Sequence, residues 1–202
     1  MEIQDLLGRP IHSPEIKEFF AQYHLPQNPL PNYDAYGNLF WVHVNNEEKT
    51  IYTVFTGYVR YVPIYGEPIG SYNKEKDQLI LHEITIDSEN APDGKISNIN
   101  LPFGLNIGDD KTTIVQKIGK KLTGKTVSDY GSAYDVLFEE FRLLVVLNPK
   151  EQLRRLILFK LELYEKERIR LKALLKSQNK NIDPDRIPEI QAFLSETPIT
   201  QW

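Results

Sequence analysis

The chain contains no cysteine. It therefore has no disulfide framework to staple a small core and no thiolate to hold a metal. Long apolar runs are absent as well. None approaches the ~20 consecutive residues of a membrane-spanning helix, so no membrane association is expected. The N-terminus, MEIQDLLGRP, is acidic and lacks the basic start and apolar stretch of a secretory signal. Together these absences lead to the expectation of a cytoplasmic protein. Histidine is sparse, and His12, His24, His43 and His82 show no metal-ligand spacing. His82-Glu83 opens like the zinc-protease motif H-E-x-x-H, but position 86 is Ile, so the second ligand is missing. Ser132 and Ser195 lack the flanking glycines of a nucleophile elbow. No catalytic residue, cofactor site or metal site is expected.

What is present is ordinary for a globular chain. The 202 residues are 41% apolar and 26% charged, enough to enclose a core. The net charge of −4 conceals an asymmetry. Residues 1–110 carry 7 basic and 16 acidic side chains, a balance of −9; residues 111–202 carry 17 and 12, a balance of +5. Such a division can mark a surface for a charged partner. In the basic half, however, YEKERIRLKALLK reads as the solvated face of a helix.

HSPEIKEFFAQYHLP begins a helix: Ser13 caps, Pro14 suits the first position, and Ile16, Phe19, Phe20 and Tyr23 form one apolar face. NLFWVHV, NNEEK and TIYTVFTGY read as strand, turn and strand. YVRYVPIYGEPIG is broken by Pro63 and Pro68 and suits an edge strand or covering loop. DQLILHEITID is a strand whose alternation places Leu79, Leu81, Glu83 and Thr85 on one face, with Ile80, His82, Ile84 and Ile86 on the other. GDDKTTIVQKIGK is a second helix, with Asp109 as its cap and Gly119 as its stop. FRLLVVL, NPKEQ and LRRLILFKL form a second hairpin. A charged helix follows, with Leu161, Tyr164, Leu171 and Leu175 as its apolar line, and RIPEIQAFL forms a short last helix.

The two helix-plus-hairpin runs make a weak internal repeat. SPEIKEFFAQY, DAYG and the first hairpin parallel DDKTTIVQKIG, SDYG and the second. The expected fold is α+β, with largely antiparallel sheet, short helices, two diverged units and a charged C-terminal helical extension. The units are a first α+β unit over 1–98, a second over 99–161 packed on it, and the extension over 162–202.

GKKLTGKT, residues 119–126, matches the phosphate-loop pattern G-x-x-x-x-G-K-[ST]. A working phosphate loop needs a buried strand before it and a helix after it. Here a helix precedes, and VSDYGSAYDV follows with turn signals. The alternative reading is a helix-ending glycine and a lysine-rich turn. A tyrosine-rich stretch is more informative: Tyr52, Tyr58, Tyr61, Tyr65 and Tyr72 lie close together with Phe55. Tyrosines are favoured in protein interfaces, and Tyr58, Tyr61 and Tyr65 are the candidate partner-binding residues.

LPFGLNIGDDKTTIVQKIGKK resembles an element of small bacterial α+β proteins encoded beside secreted toxins. Its pattern is L-P-x-G-L-x-x-G-D followed by a helix and L-G-x-P. LLGRPIHSPEIKEFFAQYHLP is similar to their opening. Their helix-plus-sheet repeat looks like that of the β-lactamase inhibitor protein. The resemblance spans roughly residues 3 to 161. The chain departs from it at Lys121, where the pattern has Pro, and in the extension from about Glu162. It implies an immunity function: binding of one protein partner, a toxin encoded nearby, with no catalytic residues to carry over. Two other readings stand beside it. One is a nucleotide-dependent enzyme using residues 119–126; the other, a nucleic-acid-associated adaptor, rests only on the basic second half and is disfavoured.

Overall fold

The computed structural model describes residues 2–29, 41–70, 79–89, 91, 96, 99–128 and 131–177. They form an α+β fold around one seven-stranded, wholly antiparallel sheet. In chain order the elements are α1 (Pro14–Gln22), β1 (Val42–Asn45), β2 (Ile51–Gly57), α2 (Tyr58–Tyr65), β3 (Leu79–Asp87), α3 (Lys111–Ile118), β4 (Thr123–Ser128), β5 (Gly131–Leu137), β6 (Phe141–Leu147), β7 (Leu153–Lys160) and α4 (Leu163–Ser177). The strand order is β1-β2-β3-β7-β6-β5-β4. Residues 1–161 form one compact unit and residues 162–202 a second.

Both expected hairpins are present, as β1–β2 and β6–β7, and their turns share one design. Asn46 Oδ1 accepts the N–H groups of Thr50 and Ile51, and Lys49 adopts a left-handed φ of 52°. Asn148 Oδ1 accepts the N–H groups of Lys150 and Gln152, and Glu151 adopts a φ of 57°. Each turn thus opens on an asparagine that ties down the chain four residues on and closes through a left-handed residue three positions later. The helix before each hairpin is capped alike, by Ser13 accepting from Ile16 N–H and by Asp110 accepting from Thr113 N–H. The cap of α3 is Asp110, not Asp109. Asp109 instead accepts from Asn106 N–H and pairs with Lys117 at 2.7 Å. The DAYG loop of the first copy and the short last helix lie outside the described residues.

One sheet face carries the core. Ile16, Phe19 and Phe20 of α1 and Ile114 and Ile118 of α3 join a cluster with Val42, Val44, Phe55, Ile84, Ile86, Leu143, Val145, Leu156 and Leu158. Full burial of such a side chain stabilises by about 1.5–3 kcal/mol. The expected alternation of β3 needs correction. Phe55 pairs with Leu81 but Val54 pairs with Glu83, so His82 is an extra residue in a β-bulge. Leu79 and Leu81 before the bulge and Ile84 and Ile86 after it therefore all reach the core.

Two elements differ from their sequence reading. Tyr58–Tyr65 is a helix, not extended chain, despite Pro63 within it. Pro63 forfeits one intrahelical hydrogen bond, and Gly66, at φ 85°, ends the helix. Residues 123–137 form a β4–β5 hairpin rather than turns. In the second unit, α4 buries Leu171 and Leu175, as its apolar line requires, while Tyr164 is exposed.

Gly131 opens β5 against β6, and a Cβ there would lie 1.9 Å from the Leu147 carbonyl oxygen. Neither backbone can move aside without breaking the ladder. Gly131→Ala should destabilise by about 3 kcal/mol or more, at or above the upper end of overpacking costs. Urea denaturation checks it; an unchanged midpoint contradicts this packing.

Candidate functional site

The antiparallel register lays out the sheet face opposite the α1–α3 core in rows. The first row runs His43, Val54, Glu83, Phe159, Arg142, Leu137. The second runs Asn45, Tyr52, Thr85, Ile157, Leu144, Asp135, and the third Asp87, Arg155, Val146, Ala133. Aromatic and aliphatic side chains are interspersed with ions that pair with one another within and between the rows. Arg142 donates from Nε to Asp135 at 2.7 Å and lies 5.3 Å from the Phe159 ring centre. Arg155 donates from Nε to Asp87 at 2.6 Å, and Arg154 Nε lies 3.8 Å from the same carboxylate.

At the β1–β3 end this face holds a groove of about 460 Å3. Its floor is the buried Val54, His82, Thr85 and Asp87. Trp41, 48% exposed, stands with His43 and Tyr52 along the outer strands, and Arg155 and Ile157 line the side toward the sheet centre. The β3 bulge explains how two consecutive residues, His82 and Glu83, reach the same groove: the extra residue suspends the usual alternation.

The His82 ring stacks on Tyr65 of α2, with centres 5.4 Å apart at 18°, and the Tyr65 hydroxyl lies 3.5 Å from Nδ1. Its Nε2 is buried and has no hydrogen-bond partner among the described residues. Burial, reinforced by His43, lowers the His82 pKa to about 4, so the ring is neutral near pH 7. Glu83 shifts the other way. Burial raises its pKa, opposed by a hydrogen bond from the Thr85 hydroxyl and by His43.

The three tyrosines singled out from sequence separate here. Their spacing, i, i+3, i+7, is a helical stripe, and all lie on α2. Tyr61 is fully buried, which removes it from the candidate partner-binding residues. It packs at 4.9 Å against Tyr65, and burial raises its pKa. Tyr58 is half-buried, with its hydroxyl 3.2 Å from Glu67, and Tyr65 is half-buried against His82. Tyr72 lies outside the described residues. Trp41 and Tyr52, which the structure places in the groove, were not among the candidate binding residues. A tryptophan just before an alternating strand was the available signal.

Residues 119–126 lack the surroundings of a phosphate loop. Gly119 is the left-handed stop of α3, and Thr123–Ser128 is an exposed edge strand. Gly124 and Lys125 lie in a bulge opposite Tyr134, and Gly124 has a φ of 62°. Lys125-Thr126 continues as strand to Ser128, not as the helix start that would direct N–H groups at a phosphate. Among the described residues, no group of three His, Cys, Asp or Glu could hold a metal ion, and no helix is long and apolar enough to cross a membrane. Comparison of the chain with protein-family models, curated proteins and solved structures finds no match.

The histidine shift has a definite sign. Between pH 6.5 and about 4 an unfolded His82 binds a proton that the folded one refuses. Its contribution is therefore complete above pH 6.5 and is lost as pH falls toward 4, by roughly 3 kcal/mol. Glu83 contributes in the opposite sense, losing stability as pH rises. Comparing wild type with His82→Gln by denaturation from pH 4 to 7 isolates the histidine. The variant should show the shallower acid-side loss, and equal slopes would contradict a buried, neutral ring.

Proposed function

We infer that this chain is a non-catalytic protein-binding protein of the immunity type, which neutralises a toxin encoded nearby by direct binding and occlusion. The observation that carries the reading is the sheet face around Trp41 and Tyr52. It presents aromatic and aliphatic groups interspersed with ions, and most of those ions are already paired within the fold. Covering such a face removes apolar area from water without stripping many lone charges of solvent. Tryptophan and tyrosine are also the residues that most often anchor protein interfaces.

The sequence resemblance supports a toxin as the partner. The −9 balance of residues 1–110 supports a basic one, since opposite charge accelerates encounter and makes the on-rate fall with salt. Trp41 and Tyr52 replace Tyr61 as the leading anchors, with Tyr65, stacked on the groove's His82, and Tyr58 as further candidates on α2.

The test is co-expression with the product of the adjacent gene and purification through a tag on one chain. A complex should form. Trp41→Ala or Tyr52→Ala should each weaken it by ~2 kcal/mol or more while leaving the unfolding midpoint nearly unchanged. Failure to co-purify, together with equal death of cells expressing the neighbour with or without this chain, contradicts the immunity reading.

A further inference from the structure

Among the described residues, the groove contains one carboxylate that has no ion pair. Asp87 is neutralised by Arg155 and Arg154, and Asp135 by Arg142. Glu83 has no ion pair among the described residues; its hydrogen bond comes from Thr85, at 3.2 Å. The β3 bulge holds it beside His82, whose Nε2 is buried and has no hydrogen-bond partner among the described residues. His43, Tyr52, Asp87 and Arg155 are the other charged or titratable groups of the groove, and Arg155 is engaged by Asp87. Burial of Glu83 works against its charge, as the raised pKa records. A partly buried carboxylate with no direct ion pair, and only His43 of the groove favouring its charge, is a feature that stability alone does not select.

The surroundings narrow what could supply the missing charge. Val54 and Ile157 offer apolar contact, and Trp41 and Tyr52 line the groove with aromatic rings. A cation on a long apolar stem satisfies all three: charge for the carboxylate, methylenes for the aliphatic floor, and a cation–π contact for the rings. At about 460 Å3 the groove is in the size range of ligand sites, about 300–1,000 Å3. We propose that this groove is a socket for a lysine or arginine side chain of the protein partner, with Glu83 as its charge acceptor. The proposal rests on the protein-binding reading for the partner, but the chemistry of the socket is independent of it.

The two parts separate in experiment. N-acetyl-arginine amide and N-acetyl-lysine amide are titrated into the full chain and followed by NMR at the Trp41 indole and Glu83 amide signals, with N-acetyl-norleucine amide as the uncharged control. The cationic probes should give saturable shifts that Glu83→Gln weakens at least about tenfold, and the control should give none. In the complex with the adjacent gene product, Glu83→Gln should weaken binding about 30-fold or more at low salt, and Glu47→Gln, in the exposed β1–β2 turn, should not. Equal shifts from the norleucine probe, or cationic binding indifferent to Glu83→Gln, overturns the socket. A complex that depends on Trp41 but not on Glu83 also overturns it and leaves the protein-binding reading standing. Cationic probes that bind while no protein complex forms support the socket and overturn that reading.

Discussion

The pairing of β3 with β7 makes one sheet of two hairpin groups. Glu83 to Asp87 align with Phe159 to Arg155, bringing together segments about 70 residues apart. Closing so long a loop is entropically costly. The offset is local and large, because Ile84, Ile86, Leu156 and Leu158 are all fully buried at this seam. Register is secured at its end. Asp87 is nearly inaccessible and meets both Arg154 and Arg155, while Arg154 also pairs with Glu89 and its carbonyl accepts from Ser88. A slip of one residue would turn every apolar side chain to the opposite face and strand a buried carboxylate without its arginines.

Bulges determine what that seam presents. Val146 pairs with Arg155 but Leu147 with Leu153, so Arg154 is an extra residue. That irregularity lets two consecutive arginines reach one aspartate. The bulge at His82 does the same for the groove, where two consecutive polar residues share a face that strict alternation would have divided. In each strand one inserted residue converts a period-two pattern into a local cluster. One cluster pairs its charges within the fold; the other holds Glu83, which has no ion pair among the described residues.

The legible parts of the sequence were those with strong local signals. Ser13-Pro14 and the apolar face of the first helix, the two Asn-initiated hairpins and the Gly119 stop all follow from capping, alternation and turn chemistry. The β4–β5 hairpin was not legible because Thr123–Ser128 is exposed throughout, so no buried face stamps an alternation on it. The α2 helix was masked by Pro63, although its tyrosines already stood at helical intervals. The two faces of β3 were assigned wrongly beyond position 81 because a bulge leaves no mark in a run where nearly every residue is buried. The groove draws Trp41, Tyr52, Glu83 and Arg155 from separate segments, and only the strand order brings them together.

The strength of the seam bears on why an awkward carboxylate persists beside it. Glu83 begins the very stretch of β3 that pairs with β7, and its neighbour Ile84 is wholly buried in the core. The backbone at this position is therefore held by ladder hydrogen bonds and apolar packing that do not involve the carboxyl group. Destabilisation from its burial is spread over a rigid, well-packed element and does not loosen the side chain's own placement. A rigid strand is also the better platform for recognition, since a group fixed by the fold loses little further freedom when it binds. Trp41 stands just outside β1 and is 48% exposed. The groove thus sets a carboxylate placed by the paired sheet beside an aromatic rim that lies outside the strands.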